Sequence, residues 1–289
     1  MDAATSAVWI TGAGGLIGSH LARLAARALP GRRILPLARP DLDLTDTGAV
    51  ARRFQQDQPG IVLHCAALSR SPACQADPAR ARELNVEVPR RLIRLSAELL
   101  FVFFSTDLVF DGTTGNYREE DTPRPLLVYG ETKAAAEAIV QTHPAHLVIR
   151  TSVNAGDSPT GDRGFDEELR NAWKSGREVP LFDDEFRAPI AAPETARAVL
   201  DLVRAGARGI YHVAGSERMS RWEMGDLLAA RHPDLQPRIR RTSLKNFQGF
   251  PRPADVTLDV SKVAAAVGRP MPRFRDWLAA QPRPGSGAG

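Results

Sequence analysis

The amino-acid sequence predicts an α/β protein, with a doubly wound parallel sheet and a smaller C-terminal lobe. Three observations lead to this fold class. A short apolar strand near the N-terminus runs directly into a glycine-rich turn and a helix. Apolar runs of strand length then alternate with helical stretches through much of the chain. One of these runs ends in Ser-Thr-Asp, as a buried parallel strand does when it delivers polar residues to its carboxyl end.

The glycine-rich turn is typical of a dinucleotide-binding unit of the Rossmann type. The strand Ala7 to Thr11 precedes it, and a helix is predicted from Ser19 to Ala28. The glycine spacing is GxxGxxG, because Ile17 occupies the final glycine position of GxGxxG. Such a turn lets the backbone approach a pyrophosphate at the helix N-terminus. The residues expected to contact the cofactor here are Gly12, Gly15, Leu16, Ile17 and Gly18.

The end of the second strand predicts which dinucleotide is bound. The strand Ile34 to Ala38 ends at Arg39, where NAD-binding versions of this fold carry an acid that bonds the ribose hydroxyls. Arg39 instead offers a permanent charge and forked donors to a 2′-phosphate. We therefore expect NADP(H). Use of NAD(H) stays open, because Asp41 and Asp43 lie just beyond the strand.

The remaining alternation predicts how the chain divides. The predicted elements are a helix at Thr47–Asp57 capped by Thr45 or Asp46, a strand at Ile61–Cys65, a helix at Ala79–Glu98 carrying Asn85, strands at Leu99–Phe104 and His146–Arg150, helices at Phe165–Ser175 and Pro193–Arg204, and a strand at Gly209–Val213. We expect residues 1–154 with about 192–213 to form the NADP-binding Rossmann domain, and 155–191 with 214–280 a substrate-binding lobe. Residues 281–289 read as a disordered tail.

The chemistry is expected around the strand that ends in Ser105, Thr106 and Asp107. Downstream, Tyr129 precedes Lys133 by four residues at the start of an alanine-rich helical segment, so both side chains share one helix face. This group suits hydride transfer to a carbonyl. The Tyr129 hydroxyl would donate a proton to the carbonyl oxygen, Thr106 would hold that oxygen, and Lys133 would stabilise the tyrosinate.

A lysine is expected beside this tyrosine for an energetic reason. Free tyrosine has a pKa of about 10, so it transfers protons poorly near neutrality. One cation a few ångströms away in a dry site can lower that pKa by roughly 2–3 units. We therefore expect Lys133 to lower the pKa of Tyr129.

Composition and charge exclude several other classes. The net charge of +4 is small and interspersed, so no nucleic-acid partner is expected. Two cysteines form no CxxC pair, no signal peptide is apparent, and no apolar run reaches membrane length, so we expect a cytoplasmic protein without a membrane partner. No metal-binding motif appears. The acidic clusters 119–121 and 183–185 read as solvated turns, and His64 as a structural hydrogen-bonding residue.

Several segments, in order, resemble a known family: they are TGAGGLIG, DLDLTD, HCAALS, LNVEVPRRL, FFSTDLVFDG, YGETK and VIRTS. This series resembles the extended short-chain dehydrogenases/reductases, and within them the dTDP-4-dehydrorhamnose reductase group. The likeness is specific over residues 7–154 and looser to about 279. It implies catalysis by Thr106, Tyr129 and Lys133. It also implies cofactor contacts from Asp43, Leu44, Ala66 and Ala67, and substrate contacts from Asp107, Val153, Arg187 and Arg252, the two arginines binding a diphosphate.

The resemblance implies an NADPH-dependent reductase of a nucleotide-linked 4-keto sugar. Where the family often has a tyrosine and a tryptophan beside the sugar, this chain has Leu108 and Val153. Leu108 also disfavours a dehydratase, which carries an acid there. A nucleotide-sugar epimerase of the same superfamily and a non-catalytic NADP-binding regulatory subunit remain alternatives. A homodimer is also open.

Overall fold

The computed structural model describes residues 6–282, so the predicted tail lies outside the described residues from 283 onward. Its strands, in chain order, are β1 (Ala7–Thr11), β2 (Ile34–Leu37), β3 (Pro59–His64), β4 (Leu100–Thr106), β5 (Leu147–Thr151), β6 (Asn154–Ala155), β7 (Val179–Phe182), β8 (Phe186–Arg187), β9 (Ile190–Ala191), β10 (Gly209–Val213), β11 (Met219–Ser220) and β12 (Ile239–Thr242). One six-stranded sheet has the order β10-β5-β4-β3-β1-β2, with every pair parallel. This confirms the predicted doubly wound parallel sheet.

The helices connect and cover these strands. In chain order they are α1 (Leu16–Ala28), α2 (Thr47–Asp57), α3 (Ser71–Ala76), α4 (Pro78–Arg82), α5 (Val88–Leu95), α6 (Val128–Val140), α7 (Phe165–Lys174), α8 (Ala192–Arg204), α9 (Arg221–Arg231), α10 (Ser261–Val267) and α11 (Phe274–Ala280). The predicted bounds agree closely for α2, α7 and α8. Asp46, one of two predicted caps, accepts a hydrogen bond from the amide of Ala49 at 2.9 Å.

One predicted helix is interrupted. The sequence predicts a continuous helix over Ala79–Glu98, whereas the structure has α4, a π-helical turn at Glu83–Glu87, and α5. Pro89 lies in the first turn of α5 and has no N–H to donate to the carbonyl of residue 85. The regular α pattern therefore breaks at this turn, and Asn85 is fully buried within it.

The sheet carries a hydrophobic layer on each face. Val8 and Ile10 of β1 pack into the layer formed with α1 and α8, while Trp9 packs into the opposite layer with α5 and α6. This alternation follows from the two-residue period of a strand, and both faces are apolar because helices cover both. Between β1 and β3 the strand order reverses direction, which is where such sheets bind ligands at their carboxyl ends.

A separate hydrophobic cluster lies in the second half of the chain. Its buried members come from α7, β7, β11, α9 and α11, and they include Trp173, Met224 and Phe274. Three two-stranded pairs accompany it, namely β6 with β9, β7 with β12, and β8 with β11. We propose that this cluster is the core of the substrate-binding lobe, 155–191 and 214–280, and that 1–154 with 192–213 form the other domain.

Within residues 6–282, no helix combines the length and apolarity needed to cross a membrane. No group of three or more His, Cys, Asp or Glu side chains in that range is arranged to hold a metal ion. Cys65 and Cys74 are both free thiols, and Cys74 donates a hydrogen bond to the carbonyl of Leu68.

Candidate active site

A single cleft of about 1340 Å³ runs along the carboxyl edge of the sheet and continues over the second half of the chain. Its lining begins at the glycine turn and the end of β2, and passes the ends of β3 and β4. It ends among Arg187 of β8, Arg221 at the start of α9 and Arg252 in the loop after β12. Of the residues predicted to bind cofactor, react or bind substrate, this cleft is lined by Gly12, Gly15, Leu16, Ile17, Gly18, Arg39, Asp43, Leu44, Ala66, Ala67, Thr106, Asp107, Tyr129, Lys133, Val153, Arg187 and Arg252.

The glycine turn allows the closest backbone approaches in the cleft. Gly12 has a φ of +70°, and a Cβ built on it would lie 2.6 Å from the amide nitrogen of Ala66. A Cβ on Gly18 would lie 2.3 Å from the carbonyl oxygen of Gly12. Only glycine therefore fits at these two positions. The turn is narrow enough for a pyrophosphate to reach the N-terminus of α1, which opens into the cleft.

Three charged side chains, Arg39, Asp41 and Asp43, follow the end of β2 and differ in their contacts. Arg39 is exposed and lines the cleft. Asp41 turns back and accepts a hydrogen bond from the amide of Ala38 at 2.8 Å. Asp43 also lines the cleft, but it accepts hydrogen bonds from the amide and hydroxyl of Thr45 at 2.9 and 2.7 Å, which hold the pKa of its carboxyl below the usual value. Both acids are thus held by local hydrogen bonds, and only Asp43 also lines the cleft.

The structure brings Thr106, Tyr129 and Lys133 together at the centre of the cleft. Thr106 is the last residue of β4, and its hydroxyl donates to Asp107 Oδ1 at 3.0 Å and accepts from the Leu108 amide at 3.2 Å. Tyr129 and Lys133 lie one turn apart on α6. An interaction with the Thr106 hydroxyl acts to lower the pKa of Tyr129. This is the arrangement that the spacing predicts.

The acid–base properties of this group differ from the expectation. Burial raises the pKa of Tyr129, and the neighbouring Cys74 and Asp107 raise it further. Burial also lowers the pKa of Lys133 to about 7, although Glu137 acts in the opposite direction. The ammonium lies 3.9 Å from the centre of the Phe103 ring. The expected lowering of the Tyr129 pKa is therefore wrong, because burial, with Cys74 and Asp107, outweighs the opposing interaction with Thr106.

Two buried polar residues, Asn85 and His64, form hydrogen bonds next to the site. Asn85 accepts from the Leu68 amide at 2.8 Å and donates to the Leu68 carbonyl and the Thr132 hydroxyl, both at 3.1 Å. It thereby ties the loop after β3 to the helix of Tyr129. The His64 Nδ1 lies 2.8 Å from Thr11 Oγ1, in agreement with the structural interpretation of this histidine.

Asp107 links Thr106, at the end of β4, to the second half of the chain. It is 4% exposed and accepts a hydrogen bond from Ser152 Oγ at 2.6 Å. The same Ser152 oxygen accepts from the amide of Ala188 at 3.2 Å. Burial raises the pKa of Asp107, and the Arg187 charge opposes that shift. Leu108 and Val153 line the cleft on either side of this chain of contacts.

A cluster of arginines surrounds one buried carboxylate at the far end of the cleft. Glu185, expected in a solvated turn, is instead 1% exposed. Arg252 Nε and Nη2 donate to its two oxygens at 2.6 and 3.0 Å, and Arg187 Nη2 lies 2.9 Å from Oε1. Arg221 is the third member, with Nε 3.7 Å from Oε1. The solvated-turn interpretation is wrong for Glu185 because three cations replace its water.

Sequence reasoning missed Arg221, although a signal for its position exists. Ser220 and Glu223 form a capping box, in which Ser220 Oγ accepts from the Glu223 amide at 3.1 Å and the Glu223 carboxylate accepts from the Ser220 amide at 2.7 Å. The S-x-x-E pattern predicts a helix that begins at residue 221. It does not predict that this first turn faces the cleft, because that depends on the packing of α9.

The parallel sheet, the glycine-only turn and the Thr106, Tyr129 and Lys133 group define an NAD(P)-dependent oxidoreductase of the extended short-chain dehydrogenase/reductase type. Comparison with known proteins agrees. The family model described as the RmlD substrate binding domain matches residues 6–282. The chain belongs to this family.

Relatives of known name include both reductases and a subunit of another enzyme. A probable low-salt glycan biosynthesis reductase of Haloferax volcanii is 30% identical, over 94% of this chain and 96% of its own length. The dTDP-4-dehydrorhamnose reductase of Mycobacterium tuberculosis is 33% identical, over 85% of this chain and 81% of its own. Methionine adenosyltransferase 2 subunit beta of Xenopus laevis is 29% identical, over 77% and 69%.

Solved structures share the fold over nearly the whole chain. A dTDP-4-dehydrorhamnose reductase from Bacillus anthracis, in complex with NADP, superposes with a TM-score of 0.86 at 24% identity, covering 95% of this chain and 98% of that one. A hypothetical dTDP-4-dehydrorhamnose reductase from Sulfolobus tokodaii gives 0.78 at 29% identity, covering 90% and 94%. These superpositions confirm the fold class.

Proposed function

We propose that this protein is an NADPH-dependent reductase of a 4-keto sugar carried on a nucleoside diphosphate. The observation that carries the proposal is the continuity of the cleft. One wall holds the glycine turn and Arg39, the centre holds Thr106 and Tyr129, and the far end holds the arginine cluster. A dinucleotide and an anionic sugar nucleotide can therefore meet at one reacting centre.

The residues at the first wall fit NADPH. The approach of Gly12 to Ala66 leaves backbone, not side chain, facing the space where a pyrophosphate would lie. Arg39 supplies a permanent cation at the end of β2, where the 2′-phosphate of an NADP cofactor is held in such sheets. When bound, NADPH supplies the hydride. The Bacillus anthracis relative in complex with NADP supports the same choice.

The chain's own residues would handle the proton. Tyr129 carries its proton through the physiological pH range and would give it to the carbonyl oxygen, and because its pKa is raised, this transfer would depend on stabilisation of the tyrosinate. The Thr106 hydroxyl would donate a second hydrogen bond to the same oxygen and hold it in place. Lys133, one turn along α6, would stabilise the tyrosinate that remains.

The far end of the cleft would hold the carrier part of the substrate. Arginines line that region, among them Arg252 in the loop after β12, and guanidinium groups bind phosphate oxygens in a forked geometry. Leu108 and Val153 would border the sugar with apolar side chains. Relatives that reduce dTDP-4-dehydrorhamnose support a sugar of this class.

A second candidate function is a non-catalytic, NADP-binding regulatory subunit. The 29% identity to methionine adenosyltransferase 2 subunit beta favours it. The presence of Thr106, Tyr129 and Lys133 in one cleft favours the reductase, because a protein that only binds a dinucleotide has no use for a proton donor.

Steady-state kinetics distinguish the two candidates. NADPH is mixed with a panel of nucleotide 4-keto sugars, dTDP-4-dehydrorhamnose included, and its near-ultraviolet absorbance is followed. The reductase proposal expects NADPH to be consumed with at least one sugar by the unmodified protein. NADPH binding without turnover on the whole panel would favour the regulatory subunit.

A further inference from the structure

Glu185 organises three arginines that do not use their donors equally. Its carboxylate accepts two hydrogen bonds from Arg252 and forms a close ion pair with Arg187. The Arg221 Nε lies farther away, 3.7 Å from Oε1. Two further acids, Asp107 and the exposed Glu168, also interact with arginines of this cluster. The donors that each arginine leaves unused therefore decide which of them can bind an anion.

Arg187 has little left to offer a ligand. Its side chain is 5% exposed. Nη1 donates to the carbonyls of Phe186 and Pro253 at 2.7 and 3.3 Å, and Nη2 faces Glu185. These contacts fasten β8 to the loop that follows β12. Arg187 therefore serves the structure of the cluster more than its binding surface.

Arg252 is intermediate. Nε and Nη2 are committed to Glu185, and the guanidinium lies 5.2 Å from the centre of the Phe182 ring. Its side chain is 27% exposed, and Nη1 stays available on the side away from the carboxylate. Arg252 can thus give a ligand one edge of its guanidinium.

Arg221 is the arginine with free donors. Its guanidinium makes no hydrogen bond to any residue within 6–282, and it lies 4.3 Å from the centre of the Phe165 ring. The side chain is 19% exposed, and the residue lines the cleft. Burial lowers the pKa of Arg221, Arg187 and Arg252 lower it further, and Glu185 and Glu168 oppose them. Neither carboxylate forms a hydrogen bond with the Arg221 guanidinium, so its donors stay free for an anion.

We propose that Arg221 is the principal ligand of the substrate's diphosphate, that Arg252 is the second, and that Glu185 is a positioning residue that aims both. The inference rests on the proposed function, since it names the residue that receives the carrier of that substrate. It reassigns Arg187, predicted from the sequence to bind the diphosphate, to a buried structural role.

Calorimetric titration of the NADPH-loaded protein tests the assignment with dTDP as the probe and dTMP as its monophosphate counterpart. The variants are Arg221→Ala and Arg221→Lys, with Arg240→Ala as the matched control. Arg240 is exposed, pairs with Glu178 at 2.9 Å, and is absent from the cleft lining. We expect Arg221→Ala to weaken dTDP by roughly 10- to 150-fold, dTMP by less, and NADPH not at all. Arg221→Lys should lie between, because it keeps the charge and loses the fork.

Thermal unfolding of the ligand-free variants separates a binding role from a structural one. The Arg221 guanidinium is repelled by two arginines and attracted by Glu185 and the Phe165 ring, but it makes no hydrogen bond. Because these effects oppose one another, Arg221→Ala should melt close to Arg240→Ala. A clear drop in Tm together with unchanged dTDP affinity for Arg221→Lys would make the residue structural and overturn the inference. So would equal dTDP affinity for Arg221→Ala and the unmodified protein, with the proposed function left standing. An unmodified protein that binds NADPH but no nucleoside diphosphate would overturn both.

Discussion

Glu137, on the helix that carries Tyr129, and Arg150 of β5 form a doubly hydrogen-bonded ion pair. Arg150 Nη2 lies 2.8 Å and Nε 3.1 Å from the two carboxylate oxygens, and each side chain is 1% exposed. A third Arg150 nitrogen donates to the carbonyl of Glu119 at 3.2 Å. The pair fixes α6 to β5, so the position of the predicted proton donor depends on it.

Breaking one side of this pair should be strongly destabilising. Arg150→Met leaves the Glu137 carboxylate buried without its partner, and we expect a loss of about 3–5 kcal/mol in the free energy of unfolding, measured with denaturant. The double variant Arg150→Met/Glu137→Leu removes both charges and should recover a large part of that loss. A double variant as unstable as the single one would show that packing, not the unpaired charge, explains the effect.

Tyr129→Phe should abolish most turnover without affecting cofactor affinity. The ring stays in place while the proton donor is lost, and general acid catalysis is typically worth about 10²–10⁴ in rate. Turnover on the accepted sugar and NADPH affinity are measured side by side. Tyr211→Phe, at a position outside the cleft lining, is the matched control. Near wild-type turnover of Tyr129→Phe would remove this residue from the mechanism.

The pKa of Lys133 predicts the alkaline limb of the pH profile. With a pKa of about 7, the ammonium is present below that pH and is lost as pH rises through it. We therefore expect kcat/KM for NADPH, which reports groups of the ligand-free protein, to fall above about pH 7. Lys133→Arg keeps a cation at all these pH values and should abolish the limb, whereas the exposed control Lys174→Arg should retain it. An unchanged limb in Lys133→Arg would assign it to another group.

Arg39 predicts the choice between the two dinucleotides. Arg39→Ala should weaken NADPH by about 1.5–3 kcal/mol, because a charged hydrogen bond to the 2′-phosphate is lost, and should leave NADH nearly unchanged. Both cofactors are titrated into the unmodified protein, Arg39→Ala and the control Arg52→Ala, an exposed arginine of α2 outside the cleft lining. Equal losses for the two cofactors, or tighter NADH binding by the unmodified protein, would refute the assignment.

A buried histidine predicts sensitivity to acid. His146 is 2% exposed, and burial, with His143 and Arg208 nearby, lowers its pKa to about 4. Between pH 6.5 and about 4 the unfolded chain therefore binds a proton that the folded protein does not, and stability should fall as pH falls, by on the order of 1–3 kcal/mol. His146→Phe should flatten this part of the curve. Unfolding curves at pH 8 give the packing cost of the substitution separately, and an equally steep curve would exclude His146 as the cause.

Much of the fold and the centre of the site are local in origin and could be predicted. The glycine turn follows β1 directly, so Gly12 and Gly18 identify a dinucleotide-binding unit from adjacent residues alone. Tyr129 and Lys133 share a helix face because they are four residues apart, and Thr106 follows an apolar strand. The continuous helix predicted over 79–98 contains a π-helical turn instead, because Pro89 has no N–H for the carbonyl of Asn85.

The sequence by itself determined the order of the main strands and helices and the glycine turn, and it placed Thr106 at a strand end and Tyr129 and Lys133 on one helix face. Each of these depends on residues close together in the chain. Only the tertiary structure decided what surrounds them. Glu185 is buried since arginines from three separate segments converge on it, and Arg221 faces the cleft since α9 packs there. The tertiary structure also decided that the pKa of Tyr129 is raised and not lowered. Burial and partial loss of the Lys133 charge depend on the whole surrounding structure, and no spacing in the sequence reports them.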